Sequence, residues 1–280
     1  MHVKKSISLR FHARAALVAG LAVATAALAV AHDMFLKPDR FFLAENASLD
    51  LALINGTFTK SENSIARNRL SDISVLGPAG RTRIDTVAWK ADGDTSFFST
   101  RTGGAGTYVI GVSTRTNLIK LTGKEFNEYL ESDGIPDVLA ARKRDGELGR
   151  GVTERYQKHV KTMVQVGEAR SEHYATALGY PAEIIPLENP YSLKAGATLR
   201  FRTLVDGQPA GNQYVQYGGR TANGGRIEMR AVRSNAEGIG AIRIGGPGTW
   251  YVKFINMTRL TGDPEADYNS KWASLTFAVR

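Results

Sequence analysis

The chain has 280 residues, 36 Lys and Arg against 27 Asp and Glu, and no cysteine. The lack of thiols excludes disulfides, thiolate metal sites and a lipid-modified cysteine, so stability must come from core packing, which a chain of this length supplies. The formal charge of +9 is scattered and forms no basic cluster interleaved with aromatics, which argues against nucleic acid as a partner.

The first 31 residues read as a secretory leader. Lys4, Lys5, Arg10 and Arg14 precede an apolar run from Ala15 to Leu28, which ends in the small-x-small step Ala29-Val30-Ala31. The run is too short for a typical spanning helix, so no membrane anchor is expected, and a secreted chain without cysteine points to the periplasm. Removing this leader leaves 32 basic against 27 acidic residues, a net charge of +5. Cleavage after Ala31 makes His32 the first residue, with its α-amine and ring Nδ1 both free to hold one transition-metal ion; imidazole nitrogen suits nickel, copper and related ions. Ala27-Leu28-Ala29 is a second small-x-small step. Cleavage there puts His32 third, where four nitrogens wrap Cu(II) or Ni(II) in a square plane. The plain alternative is that His32 only marks a leader boundary.

Along the mature chain, Leu49, Leu51 and Leu53 alternate with small or polar residues, and Leu199, Phe201 and Thr203 do the same, which predicts half-buried strands. Residues 42–54 lie well on 192–204, and Gly104-Ala105-Gly106-Thr107-Tyr108 on Gly246-Pro247-Gly248-Thr249-Trp250, a pattern that suggests an internal duplication. Gly77-Pro78, Asp92-Gly93, Asp206-Gly207 and Asn223-Gly224-Gly225 supply the turns between short strands. Between the copies the pattern becomes helical. Phe126, Tyr129 and Leu130 share one helical face, Gly134-Ile135-Pro136 ends that helix, and a second runs from Val138 to near Gly146. A third helix is predicted over 153–166, with Tyr156, Val160, Met163 and Val164 on its apolar stripe and Lys158 and His159 off it. The expected fold is mainly β: a leader (1–31), two immunoglobulin-like β-sandwich domains (32–120 and 181–280) and a helical connecting segment (121–180).

Beyond the leader the only histidines are His32, His159 and His173. No His-Glu-x-x-His, Gly-x-Ser-x-Gly or phosphate-binding Gly-Lys-Ser/Thr motif occurs, and no catalytic acid, base or nucleophile cluster stands out, which favours binding over catalysis. His159 is a candidate third nitrogen donor for an ion held by His32, against the reading of an ordinary surface residue of its helix. Asp33 is a candidate carboxylate ligand or an acceptor that orients the His32 ring. Asp263, Glu265 and Asp267 lack the glycine and closing Glu of a calcium loop and read as a solvated acidic loop.

The opening Ala31-His32-Asp33-Met34-Phe35-Leu36-Lys37-Pro38 resembles that of a large bacterial family whose members are commonly described as periplasmic components of cobalt/nickel uptake systems. Arg155-Tyr156-Gln157-Lys158-His159, Ile184-Ile185-Pro186-Leu187-Glu188-Asn189-Pro190, Asp206-Gly207-Gln208-Pro209 and Trp272-Ala273-Ser274-Leu275-Thr276-Phe277 resemble further segments of that family. The resemblance implies β-sandwich domains, a role in handling nickel, cobalt or copper, His32 as a ligand, and an inner-membrane metal transporter as partner. Where many members carry His, this chain has Asn256-Met257, a departure that leaves a poorer site or one that uses His159 instead. Two other functions fit the residues: a copper oxidoreductase with a histidine brace, which needs a second histidine beside His32, and a carbohydrate-contacting or structural module using Tyr191, Tyr214 and Tyr217.

Overall fold

Val152–Val166 is one continuous 15-residue strand at the centre of the molecule. The structure is a computed structural model that describes residues 32–280; the proposed leader, 1–31, lies outside the described residues. In chain order the principal elements are β1 (Met34–Pro38), β2 (Ser48–Thr57), β3 (Leu70–Gly77), β4 (Thr95–Arg101), β5 (Gly106–Thr114), α1 (Gly123–Ser132), α2 (Pro136–Arg144) and β6 (Val152–Val166). They continue with β7 (Ala182–Pro186), β8 (Thr198–Val205), β9 (Tyr214–Thr221), β10 (Arg226–Arg233), β11 (Ile239–Arg243), β12 (Gly248–Arg259) and β13 (Tyr268–Val279). The protein is mainly β and rich in sandwich packing.

Among the described residues, one ten-stranded sheet runs β10-β9-β12-β13-β6-β5-β3 and is completed by short strands. A five-stranded sheet contains β1, β2 and β4, and a four-stranded sheet contains β7, β8 and β11. The two copies of the repeated pattern occupy matching places. Leu49, Leu51 and Leu53 of β2 and Leu199 and Phe201 of β8 are buried in the two small sheets, while β5 and β12 both lie inside the large one. The halves meet where β6 and β13 pair in parallel, from Glu154 opposite Tyr268 to Thr162 opposite Thr276. The two sandwiches therefore share a sheet, and the helices do not separate them.

Side-chain parity distributes the cores. Val160, Val164 and Val166 of β6 pack with Leu36, Leu49, Leu51 and Phe98 of the N-terminal small sheet. Met163 of the same strand packs with Ile184, Leu199 and Phe201 of the C-terminal one. Successive side chains of a strand point to opposite faces, so the small sheets cover opposite faces of the large sheet.

The helix predicted over 153–166 is corrected to a strand. Tyr156, Val160 and Val164 are four residues apart, an even spacing that also puts them on one face of a strand. Every residue from Lys158 to Val166 is buried, because both faces are covered. That removes the alternation which would have marked a strand. The two other predicted helices form. Thr122 and Glu125 make a capping box at α1, whose Phe126, Tyr129 and Leu130 are buried, and Pro136 opens α2.

On the C-terminal face, Lys161 Nζ donates to Glu183 Oε2 at 2.8 Å, and both side chains are almost fully buried. The Glu183 carboxylate also accepts from the backbone N–H groups of Leu178, Gly179 and Tyr180. Burial pushes its pKa up, but Lys161 and these N–H donors outweigh that and hold it below the usual carboxylate range. Removing one partner of a buried pair costs about 3–5 kcal/mol. Glu183→Leu, which also orphans three N–H groups, is expected to destabilise by at least that much, and Lys161→Met by less. Urea unfolding of the two variants checks the order; equal losses would refute it.

Candidate functional site

The site lies on the face of the large sheet that carries β1 and α1. Here the chain enters β1 through His32 and Asp33, and three contacts fix its path. The Asp33 carbonyl accepts from Gly56 N at 2.8 Å. The His32 carbonyl accepts from Lys158 Nζ, and the Asp33 carboxylate accepts from Lys253 Nζ. Lys158 comes from β6 and Lys253 from β12, and both are buried. Asp133, just after α1, lies 3.9 Å from Lys253 Nζ, while its Oδ2 is buried with no hydrogen-bond partner.

Glu62 completes the mouth of the site. It follows a two-residue strand, Lys60–Ser61, that folds back on β2, and its N–H donates to Asn55 O at 2.9 Å. Gly56 lets this turn close, since a Cβ there would lie 2.4 Å from Lys60 O. The result places Glu62 Oε2 at 3.1 Å from His32 Nδ1.

Deeper in, Glu154 of β6 accepts from Tyr129 Oη at 3.1 Å and from Ser270 Oγ. Its other oxygen, Oε2, is buried without a partner. Lys158 Nζ lies 4.4 Å over the Trp272 ring, which stacks in turn on Tyr129 at 5.7 Å. Two cavities meet at His32. The outer one, about 550 Å³, is lined by His32, Asp33, Glu62, Asp133, Arg220 and Tyr251 among others. The inner one, about 90 Å³, is lined by His32, Met34, Arg69, Glu154, Lys158 and Trp272 among others.

Burial dominates the electrostatics. It pushes the carboxyls of Asp133 and Glu154 up to about 7, against the pull of nearby lysines and hydroxyls. It brings Lys158 down to about 8, although Asp33, Asp133 and Glu154 pull the other way. Lys253 differs: burial lowers it, but Asp33 and Asp133 more than compensate and raise it.

The structure brings together two of the three residues proposed from sequence. His32 and Asp33 both line the outer cavity, but Lys253 holds the Asp33 carboxylate. His159 is not with them. It follows Lys158 in β6 and so points to the opposite face, where its Nδ1 lies 2.8 Å from Ser113 Oγ. Nor does it face solvent: it is 1% exposed, and burial lowers its pKa to about 4. His173 also lies away from His32, with its Nδ1 2.9 Å from Ser171 Oγ. Of the tyrosines considered as surface aromatics, Tyr191 is buried and donates to Met163 O, and Tyr217 packs against the C-terminal core. In the acidic loop, Asp263 and Glu265 pair with Arg155. Sequence reasoning missed Glu62, Asp133, Glu154 and Lys253. Only the charges within the β-branched run of β6 carried a signal, and reading that run as a helix concealed it.

Glu154 generates a pH prediction. Its folded-state value near 7 lies above its ordinary 4.5, so its stabilising share is complete below about 4.5 and is lost as pH rises through about 7. Stability of the wild type is expected to fall between pH 5 and pH 8 by more than that of Glu154→Gln. Chemical denaturation at the two pH values measures this; identical declines would remove Glu154 as the cause.

A family model for a domain of unknown function, DUF4198, matches residues 29–258. No curated protein matches the sequence. Solved structures similar to the chain include a DUF4785 family protein from Legionella pneumophila, at 9% identity and a TM-score of 0.24, with 78% of this chain and 50% of that one covered. Another is trypsin-activated alpha-2-macroglobulin from Escherichia coli, at 10% identity and a TM-score of 0.21, covering 89% of this chain and 16% of that one. A third is a tetra-tandem repeat from the extending region of a large adhesion protein, at 14% identity and a TM-score of 0.20, covering 87% and 48%. The chain thus spans half or less of the length of each, and at such scores none of them bears on function. The match over 29–258 places the chain in the DUF4198 family of domains of unknown function.

Proposed function

We propose that the mature protein is a periplasmic carrier of one transition-metal ion, nickel, cobalt or copper, held at His32 and passed to an inner-membrane transporter. The observation that carries this reading is the 3.1 Å separation of His32 Nδ1 and Glu62 Oε2 at the junction of two cavities. Two neighbouring ligands of one first-row ion, each about 2.1 Å from it, stand roughly 3 Å apart. Among the described residues, no group of three His, Cys, Asp or Glu side chains is gathered to hold an ion. A third protein donor is therefore the α-amine of His32, which exists only once the leader has been cut after Ala31. Asp133, whose Oδ2 has no partner, lines the same cavity and is a further carboxylate within the site. Nitrogen and carboxylate donors together suit a divalent ion of the nickel–copper range.

The chain's own residues prepare this place. Lys158 and Lys253 hold the backbone of His32 and the side chain of Asp33, so the first residue of the mature chain has a fixed direction before any ion arrives. An ion bound through an amine and an imidazole must displace their protons, so affinity falls as pH is lowered.

The test is calorimetric titration of Ni(II) and Cu(II) into protein whose first residue has been verified by intact mass to be His32. His32→Ala is expected to abolish measurable binding, and a single glycine added before His32 to weaken it. Glu62→Gln is expected to weaken it about tenfold or more, the order of effect seen when a group supporting a metal site is removed. Equal affinity in the wild type and the glycine-extended form would overturn this site.

A further inference from the structure

The outer cavity is much larger than an ion requires. Its volume is about 550 Å³, whereas a water molecule occupies roughly 30 Å³ in the liquid. Its walls are divided by charge. His32, Glu62, Asp33 and Asp133 stand on the side formed by the start of β1, the Lys60–Ser61 turn and the end of α1, and Arg220 and Arg226 come from the hairpin of β9 and β10.

That hairpin is bent by design of its sequence. The register of β9 against β10 shifts between Tyr217 and Gly219, and a Cβ on Gly219 would lie 2.1 Å from Thr249 O. Only glycine lets β9 press that closely on β12 while the bulge re-aims the strand end that carries Arg220. Arg220 directs one guanidinium nitrogen to Gly224 O at 2.9 Å, and Arg226 pairs loosely with Glu228 at 3.4 Å with its side chain 68% exposed. Both keep donors free. The cavity also has an apolar face, where the rings of Phe35, Phe58 and Tyr251 pack with centroids 4.7–5.1 Å apart.

Guanidiniums in the same cavity repel a bare cation, and they become favourable only when an anion lies between them and the ion. Their planar forks match carboxylates in particular. The apolar face offers a surface for a short carbon skeleton. Resting on the metal reading above, we propose that the cavity takes its ion as the complex of a small polycarboxylate, with His32 and Glu62 at the ion and Arg220 and Arg226 at the carboxylates.

The test uses the mature protein with a verified N-terminal His32 and three titrants: Ni(II) in a non-coordinating buffer, nickel citrate and citrate alone. The wild type is expected to bind nickel citrate more tightly than nickel, and citrate alone weakly. The double variant Arg220→Ala with Arg226→Ala is expected to lose about tenfold or more in affinity for nickel citrate, the size of one or two charge-assisted hydrogen bonds, while binding Ni(II) at least as tightly as the wild type does. Arg226→Glu, on a largely exposed side chain, gives the same readout should the double variant not fold. If citrate strips nickel from the wild type, or the arginine variants bind nickel citrate unchanged, the complex is not the ligand and the metal site alone stands. If the wild type binds neither Ni(II) nor nickel citrate, the metal reading itself fails and takes this one with it.

Discussion

The parallel pairing of β6 with β13 is the constraint on which the rest of the molecule depends. It joins the two repeated halves into one ten-stranded sheet and buries β6 on both faces. Once β6 is central, side-chain alternation settles where everything else goes. Val160, Val164 and Val166 face the N-terminal small sheet, and Met163 faces the C-terminal one. The same rule sends Glu154 and Lys158 to the face of His32, and His159 and Lys161 to the other. A slip of one residue would exchange the two sets and put charges where valines now pack.

Each face therefore carries a buried polar group that must be satisfied. On the C-terminal face, Lys161 and Glu183 do this in a closed way: the carboxylate has a lysine and three backbone donors. On the N-terminal face the balance is left incomplete. Oxygens of Asp133 and Glu154 lack partners, and the cavities there reach His32. Such unpartnered buried oxygens carry a cost in stability that the surrounding sheet must offset.

The two buried lysines also hold the segment that enters β1. Here β1 pairs with β2 from its first residue, Met34 opposite Asn55, and Lys158 and Lys253 hold the two residues before it. Their ammonium groups come from strands of different halves of the chain, so the shared sheet is what sets the position of His32. The Trp272 ring beneath Lys158 and the stacked Tyr129 shield that contact from water.

Local patterning by itself determined much of this protein. The alternation of Leu49, Leu51 and Leu53, the stripe of Phe126, Tyr129 and Leu130, the break at Gly134 to Pro136, and the repeated strand pattern each correspond to an element of the structure, because each depends on neighbours close in sequence. The choice of His32 and Asp33 as candidates rested on local chemistry, and both residues line the outer cavity. The strand β6 was not legible, since a spacing of four satisfies a helix and a strand alike and burial on both faces erases the alternation. The positions of Glu62, Asp133, Glu154 and Lys253 were not legible either. They come together from a turn, the end of a helix and two strands far apart in sequence, and only the register of a sheet brings such distant residues to one point. The separation of His159 from His32 belongs with these: in sequence the residue beside Lys158 looked available to the same ion, and only the pleat of β6 decided that it faces the other way.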